Sequence, residues 1–258
     1  MKIVSLIENT TQRPDMLTEH GLSLYMETEH HKILFDMGLS DCFAQNAEAL
    51  GIDLSQVDMA ILSHGHHDHG GGLKKFLQIN QQAPVYLHKE AFQPYYNATE
   101  TYIGLDPELQ DCPRLIFTED SWQLDSGLLL ISCNQLKRKY KFSHFGLTRL
   151  QGSEYIPDDF RHEQYLLIEE AGKKILISGC SHKGILNIVE WFSPDVLVGG
   201  FHFFKMELGK ELADTAKLLN TKNVDFYTCH CTGTEQYAFI KKHIKRLNYL
   251  SSGETLIL

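Results

Sequence analysis

Apolar residues in this chain come in short runs separated by polar and glycine-containing punctuation, and the spacing within the runs alternates between strand-like and helix-like. Lys2 to Glu8 reads as a first strand. Gly21 to Thr28 and Lys32 to Asp36 read as a hairpin turning through Glu29, His30 and His31. From Asp41 to Leu50, Phe43, Ala44, Ala47 and Leu50 recur at helical spacing, and Gly51 is placed to end that helix. Val57 to Ser63 returns to a strand, Leu73 to Ile79 to a helix with Leu73, Phe76 and Leu77 inward, and Val85 to His88 to a short strand. Further strands are expected at Leu115 to Phe117, Leu128 to Ser132, Gln164 to Glu169 and Lys174 to Ser178. The last two form a hairpin through Glu170 to Lys173. Strand and helix then alternate: helix Lys183 to Trp191, strand Asp195 to Val198, helix Leu208 to Leu219, strand Asp225 to Thr228, helix Glu235 to Leu247.

An antiparallel first part followed by alternating strands and helices predicts an α/β fold, an αββα sandwich of two mixed β-sheets flanked by helices. Neither an internal repeat nor a Gly/Ser linker divides the 258 residues, so residues 1–258 are expected to form one domain with inserted loops at about 91–114 and 134–163. In the first of these, Phe92, Tyr95, Tyr96 and Tyr102 lie among polar residues and prolines without a clean period; they either pack the insert onto its own domain or shape a pocket for a flat substrate.

Composition narrows the function classes. A 43% hydrophobic content supports a sizeable core, and a formal net charge of −9 argues against a broad nucleic-acid surface. The one dense basic run, Lys137 to Lys141, reads as a solvated loop or as the holder of an anionic substrate group. No apolar run is long enough for a membrane span, and residues 1–8 are too short for a secretory signal. The six cysteines, Cys42, Cys112, Cys133, Cys180, Cys229 and Cys231, are therefore expected free or metal-bound in a reducing cytoplasm.

The chemistry is concentrated in Ser63-His64-Gly65-His66-His67-Asp68-His69-Gly70-Gly71-Gly72, directly after the apolar run Met59 to Leu62. Neutral imidazole suits zinc and iron, and the carboxylate adds an oxygen donor. His64 and His66 are spaced to share a first ion, while Asp68 and His69 face a second about 3.5–4 Å away. Asp68 is expected at the N-cap of the next helix, with Gly70 to Gly72 letting the backbone pass close to the ions. His67 is expected to point away. Asp36, at a strand end beside glycine, is placed either to orient a ligating histidine or to serve as a plain turn residue.

The pattern His-x-His-x-Asp-His after a strand resembles the signature of the metallo-β-lactamase superfamily. The blocks Glu19-His20-Gly21-Leu22-Ser23, Leu34-Phe35-Asp36-Met37-Gly38, Ser178-Gly179-Cys180-Ser181-His182 and His230-Cys231-Thr232-Gly233 resemble its dihydropterin-phosphate-synthase-like branch. The resemblance spans nearly the whole chain and implies the same sandwich fold.

Further ligands should come from strand ends on the same edge. His182 follows the strand ending at Ser178 and His230 the strand ending at Thr228. Cys180 stands where the superfamily usually has a bridging aspartate; it is either a sulfur ligand or a buried thiol beside a bridging water. His202, after the strand ending at Val198, and His162, before another strand, compete with His182 as third ligand of the first metal, and the Gly-Cys-Ser-His block favours His182. His202 is also the candidate general acid and substrate contact, and His20 is placed at the pocket rim as a substrate contact. His88 is expected to be structural, and His144 and His243 to lie on the surface. The expected metal set is thus His64, His66, Asp68, His69, Cys180, His182 and His230, with Asp68 and His202 as catalytic groups. Two divalent ions are expected, zinc first, with iron or manganese as alternatives. The function expected is a metal-dependent hydrolase activating a bridging water on a small anionic, phosphorylated or pterin-like substrate, with no nucleic-acid or membrane partner. The alternatives are a di-iron oxidoreductase and a metal-binding sensor without turnover.

Overall fold

A computed structural model describes residues 1–258. Its two seven-stranded sheets stack face to face. In the first, the strand order is Thr255–Ile257, Lys2–Ile7, Ser23–Glu27, Lys32–Phe35, Met59–Ile61, Val85–His88, Leu115–Thr118. In the second it is Leu247–Tyr249, Asp225–Thr228, Val196–Val198, Lys173–Ile177, Tyr165–Glu170, Leu128–Ile131, Ser121–Asp125. Each sheet is antiparallel on one side and parallel on the other. Lys32–Phe35 begins the parallel part of the first, and Lys173–Ile177 that of the second.

The central strands are apolar at successive positions because both faces are covered, and the period of two decides which core each residue enters. Ile33, Phe35, Met59 and Ile61 point between the sheets and meet Ile175, Ile177, Val196 and Val198. The intervening Leu34, Ala60 and Leu62 face the other way, under helices Cys42–Ala49 and Leu73–Ile79. On the second sheet, Leu176 and Leu197 likewise point out toward helices Ile185–Phe192, Lys210–Asn220 and Thr234–Ile240. Helix, sheet, sheet and helix form the four layers that the alternation predicts.

One expectation is corrected. The helix expected over Glu235 to Leu247 ends at Ile240, and Leu247 pairs with Phe226 in an edge strand. Ile240, Ile244 and Leu247 keep a helical spacing across this break because a turn of chain and a helical turn happen to bury the same face. The two inserts carry short elements of their own, including the helical turn Pro107–Leu109 in the first. Tyr95–Tyr96 from the first pairs with Thr148–Gln151 from the second, which pairs in turn with Glu154–Pro157, so a small third sheet joins them.

Phe35 is fully buried between the sheets, whereas Ile257 on an edge strand is 70% exposed. Phe35→Ala should therefore lower unfolding stability by about 3–5 kcal/mol, while Ile257→Ala should stay within about 0.5 kcal/mol of the parent. Urea midpoints of the two variants check this.

Candidate metal centre

The parallel strands of both sheets end on one edge, and the loops that follow carry the candidate residues, as expected for the carboxyl ends of parallel strands. Met59–Ile61 leads to His64, His66, Asp68 and His69; Lys173–Ile177 to Cys180 and His182; Val196–Val198 to His202; Asp225–Thr228 to His230. His64, His66 and His182 bring donor atoms within 4.8 Å of one another, as do His64, His69 and Cys180, and as do His20, Asp68 and His230. His162 is grouped instead with His66 and Asp158, and His202 with Cys180 and Cys231.

The orientation of the rings follows from what holds their rear nitrogens. Asp36 is fully buried, and its carboxylate accepts from the Ser63 amide, the Ser63 hydroxyl and His69 Nδ1, each at 2.7 Å. Because the single Ser63 hydroxyl proton goes to Asp36, Ser63 Oγ accepts from His64 Nδ1 at 2.8 Å. His230 Nδ1 donates to Asn9 Oδ1 at 2.8 Å. In all three rings Nε2 is thus the nitrogen turned inward. His64 Nε2 lies 3.2 Å from His182 Nε2; His69 Nε2 lies 3.2 Å from His230 Nε2 and 3.1 Å from Cys180 Sγ. The Asp68 carboxylate approaches His230 and His69 at 3.4 and 3.7 Å.

Charge follows position. Burial, then the neighbouring imidazoles, push His64 and His182 well below the ordinary histidine range, so both are neutral. Burial alone would raise the Asp68 carboxyl, but His69 and His230 outweigh it and keep it ionised. For His69, burial is outweighed by Asp36 and Asp68, which raise it to about 9. A proton on His69 thus shares a space ringed by acceptors.

These groups fit a cation better than one another. The lone pair of His64 Nε2 faces His182 Nε2 at 3.2 Å, and His182 Nδ1 is buried without a partner, as is His66 Nε2. Buried polar atoms are seldom left unpaired. A positive ion among three imidazoles, and another among Asp68, His69 and His230, would satisfy the inward lone pairs.

Several expectations meet a different geometry. Asp68 does not cap a helix: the short helix His67–Gly70 starts from His66 in extended conformation, and Asp68 lies in its first turn. The glycines serve the packing of the loop itself. A Cβ at Gly71 or Gly72 would collide with the carbonyls of Leu39 or Met37, so these glycines let the metal loop lie against the segment after Phe35. His162 is fully buried with both nitrogens engaged, Nδ1 accepting from the Gly65 amide at 2.8 Å and Nε2 donating to Asp158 at 3.0 Å; Tyr95 stacks on its ring. His67 has no partner among these groups, His144 is exposed and His243 half-buried. His20 stands at the rim, 55% exposed, with Nδ1 accepting from Asn9 Nδ2 at 3.2 Å and Nε2 3.5 Å from Asp68. Of the basic run, Lys139 pairs with Glu190 and Arg138 donates to the Asp159 carbonyl, and Lys141 reaches a cavity of about 550 Å³ that His182 and His202 also line.

Asn9, Ser63 and Asp158 were not marked as site residues. Asn9 directly follows the first strand's exit from the sheet, and that position is the one signal that could have found it. Glu8, which accepts from the His230 amide and the Tyr249 hydroxyl, sits beside it.

Comparison with known proteins follows the same pattern. Residues 18–159 match the family model of the metallo-β-lactamase superfamily. A 7,8-dihydropterin-6-methyl-4-(β-D-ribofuranosyl)-aminobenzene-5'-phosphate synthase of Methanocaldococcus jannaschii is 29% identical over 266 residues, covering 93% of this chain and 90% of its own. An uncharacterized protein of the same organism is 27% identical over 237 residues, covering 88% and 89%. The crystal structure of Tm1679, a metal-dependent hydrolase of the β-lactamase superfamily, matches with a TM-score of 0.86 at 30% identity, over 100% of this chain and 99% of that one. Zinc-bound PqqB from Methylobacterium extorquens, 13% identical with a TM-score of 0.58 over the whole of both chains, shares the fold.

Asp36→Asn keeps the shape of the side chain but removes the charge behind His69, and should weaken metal binding on that side about 10- to 100-fold, read by chelator competition. His88 is a separate test. It is buried at its strand end, accepting from the Glu90 amide and bonded to Asn134, and burial followed by Lys183 lowers it to about 4. Because the unfolded chain takes up this proton first, its contribution is complete above about pH 6.5 and is lost as the pH falls toward about 4. His88→Asn should flatten part of that decline when stabilities at pH 7 and 5 are compared in the presence of chelator.

Proposed function

The chain belongs to the metallo-β-lactamase superfamily, and from that footing we propose that it is a metal-dependent hydrolase of a small anionic substrate, phosphorylated and pterin-like. The observation that carries this reading is that His64, His69 and His230 all turn Nε2 inward, each fixed from behind by an oxygen, with the Asp68 carboxylate beside His69 and His230. His64, His66 and His182 would hold one divalent ion and Asp68, His69 and His230 a second, with Cys180 Sγ, near both His64 and His69, available as a further donor. Zinc suits this mixture of imidazole, carboxylate and thiolate. The chemistry that such a pair supplies when bound is a water ionised near neutral pH and positive charge at the substrate oxygen under attack.

The protein's own groups complete the task. Asp68, held ionised, orients the attacking water and accepts its hydrogen bond. His202 lines the cavity, and burial lowers it to about 4, so at neutral pH it acts as a neutral hydrogen-bond donor to substrate. Lys141 and Lys205 at the cavity wall supply positive charge for the anionic part of the substrate, while Phe142, Phe145 and Phe203 offer it flat apolar surface. His20 contacts substrate from the rim.

Metal analysis of protein produced without added metal, then assays on phosphomonoesters, phosphodiesters, lactones and thioesters, test the proposal. His64→Ala and His69→Ala should each lose bound metal and reduce turnover by roughly 100-fold or more, with the fold retained by circular dichroism. His67→Ala should keep both. Full metal content in the first two variants would refute the assignment.

A further inference from the structure

Outside the proposed histidine and carboxylate ligands, Cys231 and His202 meet Cys180 in a buried cluster. Cys180 Sγ, Cys231 Sγ and a ring nitrogen of His202 all lie within 4.8 Å of one another. Both cysteines are buried, and neither forms a disulfide. Cys231 Sγ is directed at Cys180, with its thiol donating to the Cys180 carbonyl at 3.4 Å.

His202 points to a ligand independently. It is only 8% exposed, yet neither ring nitrogen has a hydrogen-bond partner. A buried imidazole with two unpaired nitrogens is costly, and its backbone holds a left-handed φ of +56°, so the surrounding structure enforces the position rather than merely tolerating it. The neighbouring chain is shaped around the sulfur as well. A Cβ at Gly200 would fall within the van der Waals shell of Cys231 Sγ, so glycine there leaves room for a large polarisable atom.

We propose that Cys180, Cys231 and His202 form a third, thiophilic metal site, which takes a soft d¹⁰ cation such as zinc or cuprous ion. Two thiolates and one imidazole are the donor set such ions favour, and the spacing of the three atoms closes onto bonds of about 2.3 Å to sulfur and 2.0–2.1 Å to nitrogen with small side-chain movements. Each thiol gives up its proton on binding. His202 also lines the 550 Å³ cavity, so the cluster borders the space proposed for substrate. Its second ring nitrogen stays free for the substrate contact proposed above. The inference rests on the hydrolase reading only in sharing Cys180.

The test is cobalt loading of the full chain after removal of bound metal by chelator, under anaerobic conditions, with the thiolate-to-cobalt absorption and the cobalt content read together. Wild type should show absorption from two sulfurs. Cys231→Ser should lose one ion per chain and about half of the thiolate band, and Gly200→Ala, which displaces the Cys231 sulfur, should do the same. His64→Ala should lose an ion while keeping the band. If Cys231→Ser and Gly200→Ala both keep the parental ion count and band, the third site is overturned while the hydrolase centre stands. A His64→Ala, His69→Ala double variant that keeps the parental ion count would instead overturn the hydrolase centre and leave the third site in place.

Discussion

The buried carboxylate of Asp36 holds this edge of the molecule together. It sits just past the strand Lys32–Phe35 at a left-handed φ of +59° and is fully enclosed. With no water to solvate it, the charge is tolerable only because it accepts from the Ser63 amide, the Ser63 hydroxyl and His69 Nδ1. Those contacts do three things at once. They dock the metal loop on the neighbouring strand end, set the tautomer of His69 directly, and set that of His64 through the Ser63 hydroxyl. Loss of a partner from such a buried charge typically costs about 3–5 kcal/mol, so the geometry of the two histidines is tied to the stability of the fold.

The layered fold was legible because each central strand is buried on both faces and therefore uninterrupted in its apolar character. Leu34 and Phe35, or Leu176 and Ile177, go to different cores, but both are cores. Edge strands such as Ser121–Asp125 and Glu154–Pro157 were silent for the converse reason: they are largely exposed, and their pairing is made by backbone rather than by burial. The helix expected to reach Leu247 failed because side-chain spacing carries no information about a break in backbone hydrogen bonding when both conformations bury the same face.

The candidate site was legible wherever one of its residues follows an apolar strand, which is true of His64, His182, His202 and His230. It was illegible where a residue acts on another ligand from behind. Nothing in the local sequence distinguishes Asn9 from any polar residue after a strand, because its partner His230 is 221 positions away. His162 shows the same limit from the other side. Its type suits a metal, but its two nitrogens are committed to the Gly65 amide and Asp158, and only the fold reveals that commitment.

The division of donors between the two sheets has a mechanical consequence. His64, His66, Asp68 and His69 belong to the first sheet's loops, while Cys180, His182 and His230 belong to the second's. An ion held across that seam would be a non-covalent rivet between the two halves of the molecule. Its grip is graded by ion concentration, adding about 2.7 kcal/mol at a hundred times the dissociation constant. Availability of the ion in the surroundings would therefore govern how readily the seam breathes, and with it the lifetime of the protein against proteases that attack opened edges.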